Sequence, residues 1–465
     1  MMATVRVQPP AKTPGLAISD SRQLMFGKCP NPVTCGFDLV IGNGTVFPEI
    51  NFTLPQMTIE QTTWRNVTDH YREIGEAIVS TARRLRIPGI VVEFELLPPM
   101  TENPAWGAEV TRILSDRLRR GYEEDGLHSA LRVTPVDIRD IVRPPNLRSG
   151  KEWDLMRRSF DQCARAGAHI LSIESVGGKE VHDEALMYGD IAGIVFALGV
   201  LAPRDMEFLW RNILRTCREY GIVAGGDSAC GFANTAMQLA SQSLLPEVIA
   251  AIDRGASAVR SLVAVECGAI GPSKDCAYEG PILKAITGIP ISMEGKSASC
   301  AHFSPVGNIA GAMCDLWSNE SVQNIRLLSG SAPEAFLELL AYDCRLYNNA
   351  LNTGRADVYR AMLVESDVRI NVQALVLSPE STVRIADAIV STTGHYRKTV
   401  AAALECCTVI CEALEAKQLE LSRSEMLWLK RTEESLQSLP ENEDSFIASM
   451  MSAYGHLIDP SSYGL

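Results

Sequence analysis

From about residue 60 onward the apolar and polar positions settle into a repeating rhythm. An amphipathic stretch with helical period is followed by a glycine-containing break and then by a short, nearly continuous apolar run. The helix TTWRNVTDHYREIGEAIVSTARRLR leads to the strand IVVEFELL, and WGAEVTRILSDRLRRGYEEDG leads to SALRVTPVDI. WDLMRRSFDQCARAGA precedes HILSIES, DMEFLWRNILRTCREYG precedes IVAGGDS, and LLPEVIAAIDRGA precedes SLVAVECG, read here as a strand. YEGPILKAITG and IPISMEG complete the series.

Helices alternating with apolar strands predict a parallel sheet covered by helices. Six or seven such units, at roughly 40-residue spacing, favour a closed (β/α)8 TIM-type barrel over an open doubly wound sheet. No dinucleotide fingerprint follows the first strand, since the GNG at 42–44 stands alone, and Lys179 in GGKE lacks the frame of a P-loop. Before the barrel, residues 1–60 read as an N-terminal arm and a β-hairpin segment, with Asn43-Gly44 offering the turn chemistry. The barrel is assigned to 61–350. Residues 351–465 read as a helical C-terminal region packed on it, because the chain looks almost wholly helical after about residue 300, with a polar break near 432–445.

Composition narrows the function classes. With 465 residues the chain can bury a large core, and its formal charge of −13 leaves no basic surplus for nucleic acid. The longest apolar run, Ile191 to Pro203, falls short of the roughly 20 residues a membrane helix needs. No apolar leader stands at the start, so a cytoplasmic setting is expected, where the 13 cysteines stay reduced. Some of those thiols then become candidate metal ligands and others small core hydrophobes.

Three strand ends carry candidate chemistry. Glu174 closes HILSIES, Cys230 follows IVAGGDSA, and Cys276 lies in GAIGPSKDCAYEG. In a parallel barrel all three rise on the C-terminal side, where active sites are built. Two thiolates and one carboxylate are competent zinc ligands that leave one tetrahedral position open. Pattern alone leaves other triplets available, Cys267 and Cys300 being the main competitors.

Several long segments carry a resemblance: GFDLVIGNGTVFPEIN, NPAWGAEV, ILSIESVGGKEV, CGFANTAM, RSLVAVECGAIGPSKDCAYEG, KAITGIPISMEGK, DLWSNESV and ALECC. Through them the chain resembles the zinc-containing subunit of methanol:corrinoid methyltransferases, from about residue 25 to the end. The resemblance implies a (β/α)8 barrel with one catalytic zinc (Zn2+) held by Glu174, Cys230 and Cys276. It also implies that a methyl group passes from methanol to a corrinoid carried by a separate partner protein, in a hetero-oligomer with that corrinoid protein. No nucleic acid or membrane partner is implied.

Around the zinc site, Asp227, Glu266, Tyr278 and Glu294 are candidates for the substrate pocket or for supporting the ligands, and His302 for a spare ligand. Cys406, Cys407 and Cys411 sit in an alanine-rich helix and read as core. Departures from the family pattern stand at Val133, Pro98, Pro99 and Ala229, in or near strand-end loops. They keep open a methoxylated donor in place of methanol. A non-catalytic docking scaffold is the reading if metal binding is lost. A Schiff-base aldolase barrel is weak, because Lys274 and Lys296 sit in loops.

Overall fold

A computed structural model describes residues 15–52, 54, 57–274, 276–301, 303–319 and 333–465. Among the described residues nine strands run in chain order: β1 (Lys28–Cys35), β2 (Leu39–Asn43), β3 (Phe47–Phe52), β4 (Gly89–Leu96), β5 (His128–Pro135), β6 (Ile170–Ile173), β7 (Val223–Asp227), β8 (Ser292–Glu294) and β9 (Leu316–Asn319). The last seven form one parallel sheet in the order β7-β6-β5-β4-β3-β9-β8. Residues 270–273 fill the remaining gap. The Ile270 N–H donates to Ala224 O at 3.0 Å, and Ser273 bridges in parallel to Ile291 beside β8. Seven regular strands and this irregular stave give a curled, TIM-type barrel, as the alternation of elements predicts.

Side chains alternate across each strand. Ile50, Val92, Phe94, Leu131, Val133, Leu171 and Ile173 pack outward with the helices Trp64–Leu85, Pro104–Asp125, Gly150–Ala166 and Ala202–Tyr220. Phe47, Val91, Ala130, Ile170, Val223 and Leu316 instead join Val33, Cys35, Leu39 and Ile41 of the β1–β2 hairpin in a separate apolar cluster. The hairpin therefore plugs the end of the barrel where the strands begin. A polar layer lies above this plug. Arg132 donates to Glu49 at 2.7 Å, to Ser172 Oγ at 2.9 Å and to Pro272 O at 3.0 Å, and Ser292 also bonds Glu49. Gly225 makes room for it, because a Cβ there would stand 2.6 Å from Ser172 Oγ and 3.2 Å from the Arg132 guanidinium.

Four expectations about elements need correction. SLVAVECG is not a strand but the end of the helix Glu247–Cys267. Its residues from Val248 to Val265 are all buried, so polar positions do not mark a face, and an apolar run of this length reads the same in either state. The hairpin turn lies at Gly36–Asp38 between β1 and β2, while Asn43-Gly44 bends the chain from β2 toward β3, which belongs to the barrel sheet. Beyond residue 300 the chain is not all helix, since β9 completes the barrel between β8 and β3. The polar stretch at 432–445 is still helical to Ser438 within Arg423–Ser438, and breaks only before Glu443–Tyr454.

The apolar run from Ile191 is buried helix, Ile191–Phe196 followed by a π-turn segment Ala197–Leu201. No described helix is long and apolar enough to cross a membrane. The helices after Ala356 lie on the barrel and share one large apolar core with Glu247–Cys267, in which Cys406 and Cys407 are buried.

Candidate metal centre at the open end of the barrel

Glu174 stands one residue past β6, Cys230 opens the helix Cys230–Ser241 after β7, and Cys276 follows the stave 270–273. The fold brings the three together. One ligand atom from each lies within 4.8 Å of the other two, a grouping of metal-ligating side chains found among the described residues. The Cys276 thiol donates to Glu174 Oε1 at 2.8 Å, and Asn234, one helical turn beyond Cys230, donates to the Cys230 sulfur at 3.2 Å. Burial pushes the Cys276 thiol well above its usual range, and the neighbouring Cys230 and Glu174 add to the rise while Lys274 opposes it. The N-terminal end of a helix favours negative charge on Cys230.

The loops that carry these groups are interlocked. Ser228 accepts the Ala277 N–H at 3.1 Å. Glu279 accepts the Ala229 N–H at 2.9 Å and the Ser261 hydroxyl at 2.6 Å. Burial raises the Glu279 carboxyl above its usual range, and these two hydrogen bonds oppose the rise. Asp227 closes β7 and accepts from the Ser175 N–H at 3.3 Å, Arg260 at 3.1 Å and Trp210 Nε1 at 3.0 Å. It therefore holds the residue next to Glu174 in place.

Sequence reasoning missed a buried ion cluster beside the triad. The Lys274 ammonium pairs with Glu93, with Glu95 at 3.3 Å and with Glu174 at 3.6 Å, and Thr134 donates to Glu93 at 2.8 Å. The signal was present in IVVEFELL, where two acids at period 2 interrupt an apolar strand and must share one face. Lys274 is thus paired with three carboxylates, which speaks, like the loop position read from the sequence, against a Schiff-base role.

The other expected residues divide. Tyr278 and Glu294 are buried and lie 3.4 Å apart, hydroxyl to carboxylate, with Arg254 over the tyrosine ring. Glu266 is misplaced. It ends the helix Glu247–Cys267, at the opposite end of the barrel, and pairs there with His395 and Lys398 at 2.8 Å each. Its assignment rested on reading SLVAVECG as a strand, whose last residues would have pointed to the catalytic face. Cys267 shares that location, and Cys300 is exposed. His302 lies outside the described residues. Val133 packs outward among the helices, so it cannot shape a substrate pocket inside the barrel. Pro98 and Pro99 start the short helix Pro98–Glu102 after β4. The Ala229 methyl is buried in the apolar core.

The geometry can be set beside known proteins. The family description "Methanol-cobalamin methyltransferase B subunit" matches residues 11–464. The chain belongs to this family. It is a methyltransferase of that kind, 38% identical over 457 residues to the methanol–corrinoid protein co-methyltransferase of Methanosarcina barkeri, with 97% of this chain and 98% of the relative covered. The crystal structure of the methanol:cobalamin methyltransferase complex from Methanosarcina barkeri contains a similar chain. There the TM-score is 0.91 at 36% identity, over 97% of this chain and 99% of that one.

Proposed function

We propose that this family member holds one zinc ion through Glu174, Cys230 and Cys276, and passes the methyl group of methanol to a corrinoid carried by a separate protein. The observation that carries the reading is the convergence of two thiols and one carboxylate, from three strand ends, at the open end of the barrel. The donor set fits. Tetrahedral zinc with bonds of about 2.0–2.3 Å sets its ligands roughly 3.5 Å apart, within reach of small side-chain rotations from these positions. The metal supplies Lewis acidity toward the methanol oxygen, which matters because hydroxide is a poor leaving group.

The chain's own residues hold and orient. Glu174, Cys230 and Cys276 bind, and Asn234 hydrogen-bonds the Cys230 sulfur. Asp227 fixes the backbone after Glu174, and Lys274 balances the carboxylates gathered beneath the site. The nucleophile, reduced cobalt, arrives on the partner, so the complex is a hetero-oligomer. Exposed Ile141 and Val142, in the loop after β5, offer apolar contact at the mouth where that partner must approach. The reading places the enzyme in the cytoplasm, where its free thiols stay reduced.

The test follows methanol-dependent methylation of reduced cob(I)alamin by its visible spectrum, with zinc measured in the same preparation. Zinc and methylcobalamin formation, both lost in Cys230→Ala, are the expected result. Zinc without reaction on methanol would move the donor to a methoxylated compound. The absence of zinc after metal-replete purification would leave the docking-scaffold reading in its place.

A further inference from the structure

The last residues of the chain return to the open end of the barrel. Tyr463 ends the short helix Pro460–Tyr463 and is buried, and its hydroxyl accepts the Gly178 N–H at 2.9 Å. One residue earlier, Ser462 Oγ accepts the Leu147 N–H at 3.2 Å and donates to Pro145 O at 3.4 Å. Two neighbouring tail residues thus fasten both the loop after β5 and the loop after β6.

The second loop carries Glu174. Three of its backbone donors are met by acceptors from elsewhere in the fold: the Ser175 N–H by Asp227 at 3.3 Å, the Val176 N–H by Asp137 at 3.1 Å, and the Gly178 N–H by Tyr463. Gly178 has φ +87°, a left-handed conformation, and precedes the helix Lys179–Tyr188 as its cap. Its N–H therefore lies outside the helical ladder and depends on an acceptor from elsewhere. Asp227 and Asp137 belong to the barrel's own strand ends, whereas Tyr463 comes from the far end of the sequence. Asp137 is itself clamped by Arg139, which also bonds Leu147 O at 3.0 Å and Asp205 at 2.7 Å. The tail, the β5 loop and the Glu174 loop are one buried hydrogen-bonded unit.

We propose that Tyr463 is a positioning residue for Glu174, which makes the C-terminal tail a working part of the metal site. The inference rests on the reading that Glu174 ligates zinc. Without the hydroxyl, the Gly178 N–H is left buried and unpaired. The loop then populates positions in which Glu174 is not aligned, and the apparent metal affinity falls by the aligned fraction.

The test compares Tyr463→Phe with Tyr454→Phe in the full-length protein. Tyr454 also lies near the C-terminus and donates to Asp190 at 2.6 Å, away from the Glu174 loop, so it controls for loss of a buried tyrosine hydroxyl. Zinc affinity is measured by chelator competition, and amide hydrogen exchange is followed across 175–178. In Tyr463→Phe we expect zinc affinity about tenfold weaker and faster exchange in that segment. Tyr454→Phe should match the parent on both. Equal zinc affinity in the two variants, or unchanged exchange across 175–178 in Tyr463→Phe, overturns the proposal. If the parent protein binds no zinc at all, the ligand reading fails, and the exchange comparison alone then decides whether Tyr463 orders the loop.

Discussion

The two ends of the barrel are built from the same strands to opposite chemistry. At the closed end the inward positions are Phe47, Val91, Ala130 and Ile170, sealed by the hairpin residues Val33, Cys35, Leu39 and Ile41. Two residues further along each strand the same face carries Glu49, Glu93, Arg132 and Ser172. Another step reaches Glu95, Thr134 and Glu174. One end removes apolar surface from water and supplies stability. The other gathers buried charge that is tolerated only because each group has a partner. Mutations at the two ends should therefore separate metal binding from folding.

The largest effect is expected at the open end. Glu174→Gln removes an anionic ligand candidate and should lower methyl transfer by more than about a hundredfold, since even the groups that merely orient metal ligands cost 10- to 100-fold. Thermal unfolding should stay close to the parent, because the plug is untouched. A variant that keeps its activity and its zinc would remove Glu174 from the site.

The layer between the ends should respond in stability. Arg132 and Glu49 are fully buried and 2.7 Å apart, so Arg132→Ala leaves the Glu49 carboxylate in the barrel interior without its counter-charge, at about 3–5 kcal/mol in denaturant titration. Adding Glu49→Leu in the same chain should recover part of that loss, and a double variant no more stable than Arg132→Ala would contradict the pairing argument. At the closed end Leu39→Ala should cost about 2–5 kcal/mol. Its folded fraction should bind zinc as tightly as the parent, as a chelator titration can check.

The smallest effect belongs to Glu266, which sequence reading had put at the site. Partial burial acts to raise its carboxyl, but hydrogen bonds from His395 and Lys398 hold it down at about 2. A depressed folded value means that its stabilising contribution is present above the ordinary carboxyl range and is lost as pH falls toward about 2. Glu266→Gln should thus leave methyl transfer unchanged at neutral pH. It should flatten the loss of stability with acid slightly, in melts taken across that range.

The sequence made the barrel legible wherever helix and strand differ in period, and obscured it where they do not. IVVEFELL and HILSIES announce strands because they are short and bounded by breaks. SLVAVECG has the same look but continues a helix buried on every side, and the position of Glu266 was lost with it. β9 was hidden for a related reason, since four residues, LWSN, are too few to show alternation. Pattern offered Glu174, Cys230 and Cys276 as one of several apt triplets, and the family resemblance singled them out, since no spacing rule joins residues this far apart and Cys276 follows an irregular stave rather than the strand first read in SLVAVECG. Lys274 and its carboxylates were harder to see, because a lone lysine in a loop gives no hint of burial. The Tyr463 contact was invisible, since nothing local links a tail tyrosine to a glycine turn that the fold alone brings near.

The most direct test of the central claim is the zinc content of the metal-replete, purified chain beside its Cys276→Ala variant, with circular dichroism confirming that both are folded. The triad reading predicts about one zinc per chain in the parent and loss of that zinc in the variant, with the melting curve little changed. Undiminished zinc in folded Cys276→Ala, or none in the parent, would contradict it.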